Sequence, residues 1–154
     1  MKPGAFSQLY IHLVFSPKHR EALINQQIED VLYPYIGQLL NNKSHKPINI
    51  NGMYDHLHIS MGLNPKQAIS DLIADVKRSS SLYINDQKIL RGNFAWQDGY
   101  GAFSYSRSHL NNIYQYIQEQ KDHHKKRTFK EEYMEMLKKF DIEYKKEYLF
   151  EFFD

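Results

Sequence analysis

Met53-Tyr54-Asp55-His56-Leu57-His58-Ile59-Ser60-Met61-Gly62-Leu63 alternates polar and apolar residues from His56 onward. On a β-strand every second side chain points to the same face. His56 and His58 then project together, their backbones roughly 6–7 Å apart, close enough to reach one metal ion. On a helix the same pair would diverge by about 200°. The two histidines therefore carry chemistry only as part of a strand. Leu57, Ile59, Met61 and Leu63 line the opposite face and support that reading.

The segments on either side set the architecture. Upstream, Gln8–Phe15 is rich in aromatic and β-branched residues and reads as a first strand, ended by Ser16-Pro17. Leu23–Leu40 carries apolar residues at helical spacing, with Pro34 expected to kink or interrupt the helix. A second strand spans Ile48–Met53, with Asn51-Gly52 as a bend or bulge, and joins the histidine strand tightly. Downstream, Asn64 reads as the N-cap and Pro65 as the first residue of a second helix. A loop holding the only Trp leads to a fourth strand ending near Ser106. Ser108 is a candidate N-cap for a third helix. Thr128 and Glu131 form a capping-box pattern ahead of a shorter helix, and Tyr144–Asp154 reads as an aromatic, charged docking tail. The order strand–helix–strand–strand–helix–strand predicts a ferredoxin-like α+β sandwich with an antiparallel sheet, helices on one face, and a C-terminal catalytic helix.

Composition sets further bounds. With 154 residues, 42% hydrophobic and 14% aromatic, the chain is long enough to bury a core, and it is read as one domain over 1–154, its core about 6–127 and its C-terminal helix and tail 128–154. The absence of cysteine excludes disulfides and thiolate zinc sites and suits a cytoplasmic setting. No stretch is apolar enough to span a membrane. The net charge of +2 is compatible with nucleic acid without arguing for it, so local clusters carry more information.

A catalytic metal site needs more than two histidines. Tyr116 and Gln120 lie four apart on the third helix and share a face, so they can present a nucleophile and an amide ligand together. His123 and His124 are rival third ligands. With Lys125 they also form a phosphate-binding patch, or a basic helix end that favours the macrodipole. Asp55 is placed to orient a histidine or to cap a turn. Lys18 and Arg20 form a basic cluster after the first strand, and Lys77 and Arg78 are either backbone clamps or a solvated helix end.

In order along the chain, these pieces resemble one family. They are His12-Leu13-Val14-Phe15 with Lys18 and Arg20, Gly52 through His58, Lys77 with Ser79-Ser80, Trp96-Gln97-Asp98-Gly99-Tyr100, Phe103-Ser104, Tyr116 through Gln120 with His123-His124, and Phe129-Lys130-Glu131-Glu132 leading into Leu137. The resemblance is to the single-tyrosine transposases of the HUH endonuclease superfamily, which move insertion sequences as single-stranded DNA and whose relatives include the REP-associated tyrosine transposases. It runs from about Tyr10 to Tyr148. Arg78 departs from it, standing where a glycine is expected.

The resemblance implies that His56 and His58 are the metal-binding pair, Gln120 the third ligand and Tyr116 the nucleophile. Cleavage of single-stranded DNA then leaves a 5′-phosphotyrosine and a free 3′-hydroxyl. It also implies a homodimer and recognition of hairpins near element ends. Two imidazoles and an amide oxygen leave open positions, which suit Mg²⁺ or Mn²⁺ better than a closed zinc site. Two other functions fit the same residues. One is an HUH-type replication-initiator or relaxase nicking domain. The other is a catalytically silent nucleic-acid-binding protein on a ferredoxin-like sheet.

Overall fold

The computed structural model describes residues 4–20 and 23–153. Its elements run β1 (Tyr10–Phe15), α1 (Gln26–Asn42), β2 (Lys46–Met53), β3 (His56–Gly62), α2 (Ile69–Asp86), β4 (Gly101–Tyr105), a 3₁₀ turn, α3 (Leu110–Gln118), α4 (Gln120–His123), α5 (Phe129–Lys139) and a 3₁₀ turn at Lys146–Tyr148. The four strands form one antiparallel sheet in the order β2-β3-β1-β4. This is the ferredoxin-like sandwich expected from the sequence, with the histidine strand central.

Register divides the sheet into two unlike faces. Ile11, Leu13 and Phe15 of β1 pair with Met61, Ile59 and Leu57 of β3. All six are buried, and with the stripes Ile28, Leu32, Ile36, Leu40 of α1 and Leu72, Ile73, Val76, Ile84 of α2 they form the core. Burial of each such side chain stabilises by about 1.5–3 kcal/mol. The other face carries His12, His56, His58 and Ser60, and α3, α4 and α5 cover it.

Several boundaries differ from those read off the sequence. Pro34 does not interrupt α1. It lies on the exposed side, where water can satisfy the carbonyl that loses its partner. Asn51 and Gly52 keep register with His58 and Leu57, and the irregularity falls instead between Pro47 and Asn49, where proline has no N–H for the ladder. Gly52 is required for close approach, since a Cβ there would lie 2.2 Å from the His56 carbonyl oxygen. Helix α2 starts at Ile69 rather than at Pro65. Asn64 caps a turn, accepting from Lys66 N at 3.1 Å while its own N–H donates to His45 Nδ1 at 2.9 Å. Ser108 lies in the 3₁₀ turn and bonds Ser106, and α3 begins after it at Leu110. The capping box at Thr128 is formed, with Glu131 N donating to Thr128 Oγ1 at 3.1 Å.

The segment after α5 folds back. Phe150 is buried against Tyr133 at 5.0 Å, and Phe152 meets Phe129 edge-on at 5.5 Å. Glu151 N donates to Gln97 Oε1 at 2.7 Å, and Gln97 Nε2 returns a bond to the Glu151 carbonyl at 2.8 Å. The docking tail is thus stapled to the Trp96 loop, except for Asp154, which lies outside the described residues. Among the described residues no helix is long and apolar enough to cross a membrane.

Candidate metal centre and nucleophile

His56 and His58 share the face of β3 that looks toward α3–α5, and both are fully buried. The tight β2–β3 connection puts Asp55 beside them, so that His56 Nδ1 donates to Asp55 Oδ1 at 2.8 Å. This leaves His56 Nε2 pointing into the cluster, the orientation a carboxylate imposes on a metal-binding histidine. His58 is held by a different partner. Its Nδ1 lies 2.7 Å from Nε2 of His12, a third buried histidine on the neighbouring strand. With the proton on His58 Nδ1, its Nε2 also faces the cluster with a free electron pair.

Helix α5 supplies what these nitrogens face. Glu132 is completely buried, and its Oε1 lies 3.3 Å from His56 Nε2, 3.2 Å from His58 Nε2 and 3.0 Å from His124 Nε2. Gln120 Oε1 lies 2.9 Å from His56 Nε2 and 3.1 Å from His124 Nε2, while Gln120 Nε2 donates to Glu132 Oε2 at 2.9 Å. The Tyr116 hydroxyl donates to the same Oε2. Arg127 Nη2 in turn donates to the Tyr116 oxygen at 3.2 Å. The helix breaks at Glu119, yet the backbone bonds from His123 to Glu119 and from His124 to Gln120 preserve its turn. Tyr116 and Gln120 therefore still converge.

The electrostatics follow from burial and charge. Burial opposes protonation of His56, but its bonds to Asp55 and Glu132 and their charges outweigh that and lift it to about 9. Burial lowers His58, and Glu132 recovers only part of the loss. His12 is held well below the usual range by burial and by His58, so it is neutral and can accept the His58 proton. Burial works against the Glu132 carboxylate, yet the surrounding imidazoles, His58 foremost, hold it ionised. Burial and the Glu132 charge push Tyr116 above the ordinary phenol range, so it rests protonated.

This donor set fits a divalent cation. Candidate ligand atoms of His56, His58 and Glu132 all lie within 4.8 Å of one another, and Gln120 Oε1 and His124 Nε2 adjoin them. Without a cation, the proton on His56 helps offset the buried carboxylates.

The structure brings together six residues singled out in the sequence: His56, His58, Gln120, Tyr116, Asp55 and His124. His123 packs edge-on against the Tyr116 ring at 4.9 Å. Lys125 is exposed on a groove of about 370 Å³ that reaches Asp55 and His124, and Lys126 and Arg127 line the same groove. Lys18 is exposed, and Arg20 sits over the Phe153 ring at 5.4 Å. Lys77 lies in the layer across the sheet, over the Phe15 ring, and donates to the Gln97 and Gly99 carbonyls at 2.7 and 2.6 Å. Arg78 is 73% exposed and 3.7 Å from Asp75.

Sequence reasoning missed Glu132 as a ligand. Its signal was present, because Phe129, Glu132, Tyr133, Met136 and Leu137 form one helical stripe. A carboxylate inside an apolar stripe is rarely buried without a partner. His12, flanked by Ile11 and Leu13 within a buried strand, carried the same kind of signal. Phe129 was also missed. Its ring stacks on His56 at 4.1 Å with 2° between planes.

A family model described as IS200-like transposase matches residues 5–120, a span that includes His56, His58, Tyr116 and Gln120. The ISDra2 transposase TnpA of Deinococcus radiodurans is 26% identical over 124 residues, covering 77% of this chain and 89% of that protein. Two solved structures share the fold. A candidate transposase from Deinococcus radiodurans R1 aligns with a TM-score of 0.60 at 21% identity, over 78% of this chain and 96% of that one. A REP-associated tyrosine transposase bound to a REP hairpin aligns with a TM-score of 0.59 at 12% identity, over 80% of this chain and 74% of that one.

Proposed function

The chain belongs to the IS200-like transposases, single-tyrosine members of the HUH superfamily, and from that premise we propose that it cuts and rejoins single-stranded DNA through Tyr116. The observation that carries this reading is one shared carboxylate. Glu132 touches the Tyr116 phenol with one oxygen and the imidazole cluster with the other, so nucleophile and metal site form one unit within a single chain.

His56, His58 and Glu132 would hold Mg²⁺ or Mn²⁺, with Gln120 and His124 adjoining. When bound, the ion supplies Lewis-acid charge to the non-bridging oxygens of the scissile phosphate. The protein's own groups do the rest. Asp55 and His12 fix the orientation of the two histidines through their Nδ1 atoms. As the Tyr116 oxygen bonds to phosphorus, its proton is lost to water, while Glu132 Oε2, held ionised by the imidazoles, orients the hydroxyl as its hydrogen-bond acceptor. Arg127 stabilises the negative charge that grows on the phenol oxygen. The P–O3′ bond breaks, and the departing 3′-oxygen takes a proton from water to become a hydroxyl. Tyr116 retains the 5′-phosphate as an ester, and attack by another 3′-hydroxyl reverses the step and joins a new end. Lys125, His123 and Lys18 with Arg20 are candidate phosphate contacts, as is the exposed Arg78, whereas Lys77 is engaged by the Gln97 and Gly99 carbonyls across the sheet. Hairpin-bearing element ends are the proposed substrate, and a homodimer the proposed assembly. The REP hairpin bound by the structural relative supports the substrate class.

The test is incubation with labelled single-stranded hairpin DNA and Mn²⁺ or Mg²⁺. The parent should give a denaturant-resistant adduct and duplex DNA none. Tyr116→Phe should abolish the adduct while retaining DNA binding. Binding by the parent with no adduct under any of these conditions would leave a silent nucleic-acid binder instead.

A further inference from the structure

Arg127, whose Nη2 reaches the Tyr116 oxygen, stands where two unlike grooves meet. On one side lies the polar groove with Lys125, Lys126 and Arg127 on its wall. On the other, a groove of about 580 Å³ runs between α3 and α5 over β4, and Tyr116, Glu132 and His12 close its inner end. Its walls are built by helical spacing. Asn112, Ile113 and Tyr116 form one stripe of α3, continued by His109 at the end of the preceding 3₁₀ turn, and Glu132, Glu135, Met136 and Lys139 form one stripe of α5. Arg127 lines both grooves.

We propose that this second groove is a nucleobase site, taking an unpaired base of the DNA strand next to the phosphate that Tyr116 attacks. The inference rests on the strand-cutting reading of Tyr116 and names the part of the substrate that must be single-stranded. Three observations carry it. First, the interior is apolar and aromatic. Phe103 and Phe140 pack ring to ring at 4.8 Å, and Ile113 and Met136 complete a surface suited to the flat face of a base. Second, the rim holds polar groups free to read or clamp. The Asn112 amide makes no hydrogen bond and Lys139 no ion pair among the described residues, so one offers a donor–acceptor pair to a base edge and the other a charge to a phosphate. Third, the groove ends on the reacting oxygen. A strand with its phosphates along Lys125–Arg127 and one at Tyr116 brings an adjoining base to the groove mouth. A base held in a duplex cannot enter.

Met136 provides a reporter, as one of five methionines in the chain. The experiment uses full-length Tyr116→Phe protein with ¹³C-methyl methionine, titrated with single-stranded dA6, dT6 and dC6 and with a duplex control. The Met136 methyl should move upfield with at least one single strand and stay fixed with the duplex. Met136→Glu should weaken single-strand binding about 5- to 100-fold, the equivalent of losing one stacked base, with Mn²⁺ affinity unchanged. Asn112→Ala, on the exposed rim, should reduce the preference among the three oligonucleotides. A Met136 methyl that stays fixed while the parent forms its Tyr116 adduct overturns the base site and leaves strand cutting standing. A methyl that responds to single strands while the parent forms no adduct supports the base site and removes the cutting step. A shift that follows protein concentration alone assigns the groove to a second copy of the chain and overturns the proposal.

Discussion

Replacing Glu132 with Gln keeps the shape of the side chain and removes its charge, which makes the electrostatic argument measurable. In the metal-free protein His56 is lifted from 6.5 to about 9. A group raised on folding contributes stability that is complete below its unfolded value and is lost as pH climbs through its folded value. At 1.36 kcal/mol per unit the shift is worth about 3 kcal/mol, so the parent in EDTA should lose that much between pH 6.5 and about 9. For a chain of this size the loss corresponds to a fall of roughly 6–12 °C in Tm. Asp55 and Glu132 together lift His56, so Glu132→Gln should remove a substantial part of the slope, on the order of 1–2 kcal/mol, and Asp55→Asn a comparable part. Lys77, lowered to about 8 by burial, gains stability over the same upper range and opposes the trend. Because Lys77 is unchanged in every variant, the difference between parent and variant slopes cancels it. Urea unfolding at half-unit pH steps measures those slopes. Equal slopes in the parent and both variants would refute the idea that these two acids hold a proton on His56.

Three other substitutions probe the same assembly. Gly52→Ala drives a Cβ to 2.2 Å from the His56 carbonyl and should cost about 1–3 kcal/mol in thermal unfolding while lowering Mn²⁺ affinity; an unchanged Tm would contradict the close approach. His12→Leu keeps a side chain of similar size but removes the polar partner of His58 Nδ1. Calorimetric Mn²⁺ affinity should fall roughly 10- to 100-fold, and equal affinity would show that His58 needs no such partner. Phe129→Ala empties a fully buried site stacked on His56 and should destabilise by about 3–5 kcal/mol; a loss below 1 kcal/mol in urea unfolding would mean that the stack and the docked tail contribute little.

Much of this arrangement was legible in the chain, and the reasons are local. Period-two alternation around His56 fixed the strand and its two faces, and the element order then left few topologies. Tyr116 and Gln120 were readable because four-residue spacing survives even the break at Glu119. What escaped were positions set by long-range packing. Asn64-Pro65 satisfies every local rule for a helix start, but the Asn64 backbone is held by His45 from another element and the helix waits until Ile69. Glu132 was passed over because a charged residue in a short, charge-rich helix looks solvent-facing until the stripe around it is traced. Lys77 looked like a free cation, yet two loop carbonyls from a distant part of the sequence hold it.

Strand β3 is covered on both sides, with aliphatic side chains against α1 and α2 and imidazoles against α3–α5. Most strands have one forgiving side facing water. This one has none, so sliding by a single residue would exchange the two sets at once. Three polar groups would be thrust into oil without acceptors, and the cluster around Glu132 would meet hydrocarbon. The histidines therefore act as alignment pins as well as candidate ligands. A chain that assembled one step out of line would be too unstable to persist as an inactive impostor.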